Sequence, residues 1–190
     1  MVTNPQSNKR YTYKDYSEWS DEERWELIEG IPHLMTTTPS PKHQEILGEL
    51  FRLISNFLVG KTCKPYLAPF DVRLFPNKQL SDLDVVQPDL TVIGDPNKIT
   101  SQGCEGVPDF IIEILSPSTA KKDKGLKKRL YERAGVQEYW IVDPIHHTIE
   151  VYVLHQNGKY QEAEVYGKED RIQVATIPDL TIDLETVFID

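Results

Sequence analysis

Cysteine is scarce in this chain, and the two present, Cys63 and Cys104, have no CxxC partner. That excludes a thiolate zinc site and a disulfide framework, and two reduced thiols are expected. No apolar run approaches the roughly 20 residues needed to span a bilayer, so no membrane helix is expected. The opening MVTNPQSNKR lacks the apolar stretch of a secretory signal, which makes the cytoplasm the default compartment. Positive charge is also in deficit: 21 Lys and Arg against 30 Asp and Glu give a net charge of −9. Bulk electrostatics therefore disfavour a protein that coats nucleic acid, because phosphate affinity comes from Lys and Arg displacing counterions. An enzyme that meets its substrate through one local basic patch and holds a divalent cation with acids is not excluded. Walker, GxGxxG, GxSxG and HExxH motifs are missing, as are internal repeats. With 39% hydrophobic and 27% charged residues over 190 positions, one globular domain over 1–190 is expected, with residues 1–10 frayed.

What is present centres on residues 107–143, which read as strand, helix, strand. FIIEIL, 110–115, is an almost wholly apolar run of the kind buried on both faces of a sheet, yet it contains Glu113. A carboxylate there costs several kcal/mol unless a cation or strong donors meet it. Ser116, Pro117, Ser118 and Thr119 supply turn and cap residues. The following helix carries the one dense basic run, Lys121 to Arg129, until Gly135 stops it, and EYWIV, 138–142, resumes as a strand.

Elsewhere, 13–25 reads as a short helical opening with Ser20 as a cap, and WELIEGIPHLM, 25–35, as a hairpin around Gly30. Ser40-Pro41 starts a helix whose apolar positions recur at helical spacing up to Gly60. Residues 65–75 are strand material broken at Pro69, with a polar loop over 77–84. VVQPDLTVIGD, 85–95, reads as one strand in which Pro88 marks an edge, a start or a bulge. Residues 95–106 read as a loop, and 148–154, 159–166 and 181–188 as further antiparallel β material.

Three residues can be brought together by this geometry. If the strands holding Asp89 and Glu113 pair, same-face side chains stand roughly 5 Å apart. That suits two carboxylates sharing a Mg²⁺ with ligands at about 2.1 Å; without a metal the acids repel, and one is driven toward its neutral form. Lys127, on the crossover helix, has the reach to lean back over the sheet and steady phosphate charge or orient a water. Each residue has a plainer reading. Asp89 after Pro88 suits a turn or cap, Glu113 a structural ion pair, and Lys127 a solvated pair with Asp123 four residues earlier. Tyr131, Tyr139 and Trp140 read as core, and the adjacent His146 and His147 point opposite ways.

A PD dipeptide followed by a strand glutamate resembles the PD-(D/E)XK nuclease core. ELIEG at 26–30, SPKHQ at 40–44, QPDLTVI at 87–93, EILSPST at 113–119, then Asp123, Lys127, Tyr131 and GVQEYWIVDP at 135–144 resemble the Uma-two family of restriction-endonuclease-like proteins, from about residue 11 to the C-terminus. The resemblance implies an α/β fold with a central mixed β-sheet flanked by helices and additional antiparallel strands. It also implies a Mg²⁺- or Mn²⁺-dependent endonuclease acting on DNA, often as a homodimer. Asp89 and Glu113 match the metal-binding acids. The chain departs from the standard motif at Leu115, where lysine is usual. In the family that lysine is thought to have moved to the helix, which points to Lys127. His43, in the first turn of its helix, stands by the family pattern as either a site-lining or a solvent-facing residue. Glu26 stands as either a third metal ligand or an exposed hairpin residue. Two other activities stay open: a nuclease fold that binds nucleic acid without turnover, and an RNA-directed phosphodiesterase.

Overall fold

The computed structural model describes residues 9–19, 23–35, 38–77, 79 and 81–189. The Ser20 cap and most of the N-terminal stretch expected to fray lie outside them. Thr12 and Asp15 cap one another reciprocally and start a single helical turn, α1 (Tyr13–Tyr16). The helical opening expected to reach Trp25 is thus one turn long, and Trp25 instead begins β1 (Trp25–Ile28). Glu29 and Gly30, both at positive φ (52° and 76°), form the two-residue turn into β2 (Ile31–Leu34). Ser40 caps α2 (Pro41–Phe57), whose Ile46, Leu50 and Ile54 are fully buried; each contributes about 1.5–3 kcal/mol by burial. The chain continues through β3 (Lys64–Leu67), a cis Ala68–Pro69 peptide, β4 (Val72–Arg73), β5 (Val85–Val86) and β6 (Leu90–Ile93).

Residues 85–95 are therefore not one strand. Val85–Val86 lies between β1 and β4 in one six-stranded sheet, and Leu90–Ile93 lies in another, ordered β12-β11-β10-β9-β6-β3 with β9 at Phe110–Ile114, β10 at Glu138–Asp143, β11 at Thr148–Val153 and β12 at Glu164–Gly167. Pro88, which has no N–H to give a ladder, sits at the corner where the chain passes from one sheet to the other. β6 is no edge, because it lies between β9 and β3. The stretch 95–106, expected as a loop, contains the hairpin β7 (Ile99–Thr100) and β8 (Gly103–Glu105). Gly103 is required there: its φ is 124°, and a Cβ would stand 2.2 Å from the Asp71 carbonyl oxygen.

Then come β9 (Phe110–Ile114), a widened helical turn over Lys122–Lys127, α3 (Lys128–Ala134) ended by Gly135 at φ 91°, and β10 (Glu138–Asp143), parallel to β9. β11 (Thr148–Val153) and β12 (Glu164–Gly167) extend the same sheet antiparallel. β13 (Arg171–Gln173) and β14 (Thr181–Asp183) form a separate hairpin. The strand expected over 181–188 stops early because Asp183 caps α4 (Leu184–Val187).

β9 is buried throughout, as its sequence demands. Phe110, Ile112 and Ile114 join the core beneath α2, while Ile111 and Leu115 face a second core with Tyr131 and Tyr139. The fully buried Glu138 carboxylate accepts Trp140 Nε1–H (2.8 Å) and the N–H and hydroxyl of Thr176 (each 2.8 Å), fastening the segment after β13 to β10. Among the described residues no helix is long and apolar enough to cross a membrane.

Candidate active site

Alternation along β9 turns Ile112 toward α2 and Glu113 toward the α3 side. The antiparallel register Leu90↔Ile112 sets position 89, one residue ahead of β6, across from position 113. Asp89 Oδ2 accepts the Ile114 N–H at 2.8 Å and lies 3.3 Å from His43 Nε2. His43 is in the first turn of α2, where its own N–H is capped by Ser40 Oγ at 3.2 Å. The ring is buried, and its Nδ1 has no hydrogen-bond partner among the described residues.

Lys127 Nζ lies 2.7 Å from Glu113 Oε1, 2.6 Å from Glu26 Oε1 and 3.8 Å from Asp123 Oδ1, with 2% of its side chain exposed. The solvated pairing with Asp123 is thus replaced by a buried cation among three carboxylates. Glu26 is fully buried and is not an exposed hairpin residue. Its Oε2 meets Lys122 Nζ at 2.6 Å, and its Oε1 also accepts the Gln87 N–H at 3.1 Å. Tyr131 belongs to the core as its sequence context suggests, but its hydroxyl donates to Glu113 Oε1 at 2.7 Å. His146 and His147 do diverge: one ring pairs with Asp143, the other stacks on Phe188.

Sequence reasoning missed Asp123 and Tyr131 as members of this cluster, although a signal exists. Thr119, Asp123, Lys127 and Tyr131 recur at every fourth position, a polar stripe on an otherwise amphipathic helix. The structure shows why four rather than 3.6 fits: the Lys128 N–H reaches back five residues to the Asp123 carbonyl, so the turn is wider than an α-helix.

Burial alone would raise every acid here. Against it, the ammoniums of Lys127 and Lys122 hold Glu26 well below the usual carboxylate range. For Glu113, burial prevails over Lys127 and is reinforced by the charges of Asp123, Asp89 and Glu26, so its proton affinity is raised. Burial likewise raises Asp123 against the opposing pull of Lys127. Lys127 is itself held charged, because the three carboxylates outweigh its desolvation. Three carboxylates, Glu26, Glu113 and Asp123, thus share two ammoniums, Lys122 and Lys127, while Asp89 meets His43 beside them.

The cluster opens on a cleft of about 1180 Å³. Asp89, Glu113, Asp123, Lys122 and Lys127 line it, and Arg24, Lys42, Lys121 and Arg129 add positive charge to its walls. Among the described residues no three His, Cys, Asp or Glu side chains are arranged to enclose a metal ion. Mg²⁺ is typically held by one or two carboxylates and keeps several waters. Among the described residues, hydrogen bonds and ion pairs reach only Oδ2 of Asp89 and only Oε1 of Glu113. One oxygen of each acid therefore has no protein partner, and the donor set fits such an ion.

Residues 13–185 match the Uma2 family model, described as "Putative restriction endonuclease". An uncharacterized protein of Synechocystis sp. is 26% identical over 167 residues, covering 86% of this chain and 84% of that protein. A crystal structure from Anabaena variabilis, of a "putative nuclease belonging to DUF820", superposes with a TM-score of 0.75 at 22% identity, over 94% of this chain and 97% of that one. At that identity the likeness is one of fold: mixed sheets flanked by helices.

Proposed function

Because the chain belongs to the Uma2 family of restriction-endonuclease-like proteins, we propose that it is a divalent-metal-dependent endonuclease hydrolysing phosphodiester bonds in DNA. The observation that carries this reading is the placement of Asp89 and Glu113 across neighbouring strands at one cleft, each with an oxygen unpartnered among the described residues. Asp89 and Glu113 would hold Mg²⁺ or Mn²⁺, which when bound supplies water activation and charge stabilisation at the leaving oxygen. The chain's own groups do the rest. The Ile114 N–H and His43 fix Asp89; Lys127 and Tyr131 fix Glu113 by the same oxygen. Lys127 takes the place of the motif lysine replaced by Leu115, neutralising part of the acid charge from the helix side. The cations on the cleft walls support a polyanionic substrate despite the net charge of −9, since phosphate contacts are local.

Plasmid DNA and an RNA of matched length, incubated with Mg²⁺, with Mn²⁺ and with EDTA, test the reading. DNA cleavage that requires the metal and is lost in Asp89→Asn is the expected result. A protein that binds no Mn²⁺ by calorimetry and cuts no DNA would overturn it, and preferential cutting of RNA would overturn the choice of substrate.

A further inference from the structure

Resting on this nuclease reading is the question of which cation meets the phosphate, and the position of Lys127 argues against Lys127. An ammonium has three donors, and here three carboxylates surround it at 2.6, 2.7 and 3.8 Å with 2% of the side chain exposed. Reaching a phosphate would mean giving up partners that hold the acids together. Lys122 is placed differently. Among the described residues its Nζ makes one ion pair, 2.6 Å from Glu26 Oε2; its side chain is 18% exposed, and it lines the cleft. Two of its three donors remain for a ligand.

The fold brings both lysines to Glu26 by a specific device. Residues five apart on an α-helix point about 140° away from each other. The turn over Lys122–Lys127 is widened, with the Lys128 N–H bonded to the Asp123 carbonyl five residues back, and both ammoniums converge on one carboxylate. Glu26 is fully buried, and its two oxygens are taken by Lys127 with the Gln87 N–H and by Lys122. Both oxygens therefore meet donors, which makes Glu26 an anchor for the two cations.

We propose that Lys122 is the ammonium that donates to the non-bridging oxygens of the substrate phosphate, that Glu26 is its positioning residue, and that Lys127 is the internal counter-charge holding Glu26, Glu113 and Asp123 together. The neighbouring Lys121, exposed on the same wall, extends the contact along the backbone of the polyanion.

The test uses the full chain and the variants Lys122→Gln, Lys122→Arg and Lys127→Gln, each measured four ways: thermal unfolding, Mn²⁺ calorimetry, binding of a labelled DNA duplex in Ca²⁺ across a salt series, and turnover in Mg²⁺. Lys122→Gln should fold and bind Mn²⁺ like the parent. It should weaken duplex binding several-fold, lower the salt slope by about one, and slow turnover on the order of 10²-fold. Lys122→Arg should recover most of the duplex affinity. Lys127→Gln should instead lower the unfolding temperature and the Mn²⁺ affinity. Unchanged duplex affinity and salt slope in Lys122→Gln would overturn the assignment, as would a loss of stability equal to that of Lys127→Gln. If the parent cuts nothing with either metal, the nuclease reading fails by itself, and the salt slope still decides whether Lys122 contacts phosphate.

Discussion

Replacing Lys127 by methionine removes a buried charge while keeping most of the side chain's length. In the parent, Glu26 is held ionised by Lys127 and Lys122, and its proton affinity is well below normal. Without Lys127 the buried acid must either stay charged beside one ammonium or take up a proton. Neutralising a carboxyl of ordinary pKa near 4.5 at pH 7 costs about 3.4 kcal/mol at 1.36 kcal/mol per unit. At pH 5 the same step costs about 0.7 kcal/mol. Glu113 adds less, since burial and its acidic neighbours have already pushed it up to about 8. The sign follows from proton counts. In the parent, Glu26 contributes stability that is present above its unfolded value and lost as pH falls toward about 2. In the variant the folded acid holds a proton more tightly than the unfolded one, so stability falls as pH rises from 5 to 7. The difference between the two proteins should therefore grow by about 2.7 kcal/mol between pH 5 and pH 7. For a domain of this size that is a further drop of roughly 5–11 °C in Tm. Urea unfolding followed by tryptophan fluorescence at the two pH values measures it. A difference below about 1 kcal/mol at pH 7, the size of an exposed i,i+4 pair, or one that does not change with pH, would refute the reasoning.

Tyr131→Phe deletes the 2.7 Å hydrogen bond to Glu113 Oε1 and should weaken Mn²⁺ binding about tenfold or more, as loss of a group orienting a ligand does. Calorimetry showing parental affinity would mean the hydroxyl serves packing alone. Glu138→Ala strands the indole of Trp140 and the donors of Thr176 in a buried place and should cost at least about 3 kcal/mol in denaturant unfolding; a cost under 1 kcal/mol would contradict the fastening role. We also propose a twofold homodimer, supported by the edge strand β12, where Val165 is 63% exposed. Light scattering that finds only monomer at micromolar concentration would count against it.

Local chemistry was enough to locate much of this protein. Ser40-Pro41 starts α2, Gly135 ends α3, and five apolar-buried positions around a lone glutamate announce a central strand whose acid needs a partner. The opposition of Asp89 and Glu113 followed from strand spacing once pairing was assumed. The rest depended on contacts between segments far apart in the chain. The 85–95 stretch reads as one strand because its apolar residues are continuous, and only the meeting of two sheets turns Pro88 into a corner. Glu26 looks like any hairpin carboxylate until β1 is laid under the crossover helix, 96 and 101 residues ahead of its partners Lys122 and Lys127. Nor does helical periodicity reveal that Lys122 and Lys127 converge, because that periodicity assumes 3.6 residues per turn, and this turn is widened where three carboxylates draw one ammonium inward. Propensity and pattern act over a few neighbouring residues, whereas the energy of a buried charge depends on what surrounds it in space, and that is decided only when the sheets and the crossover helix close on one another.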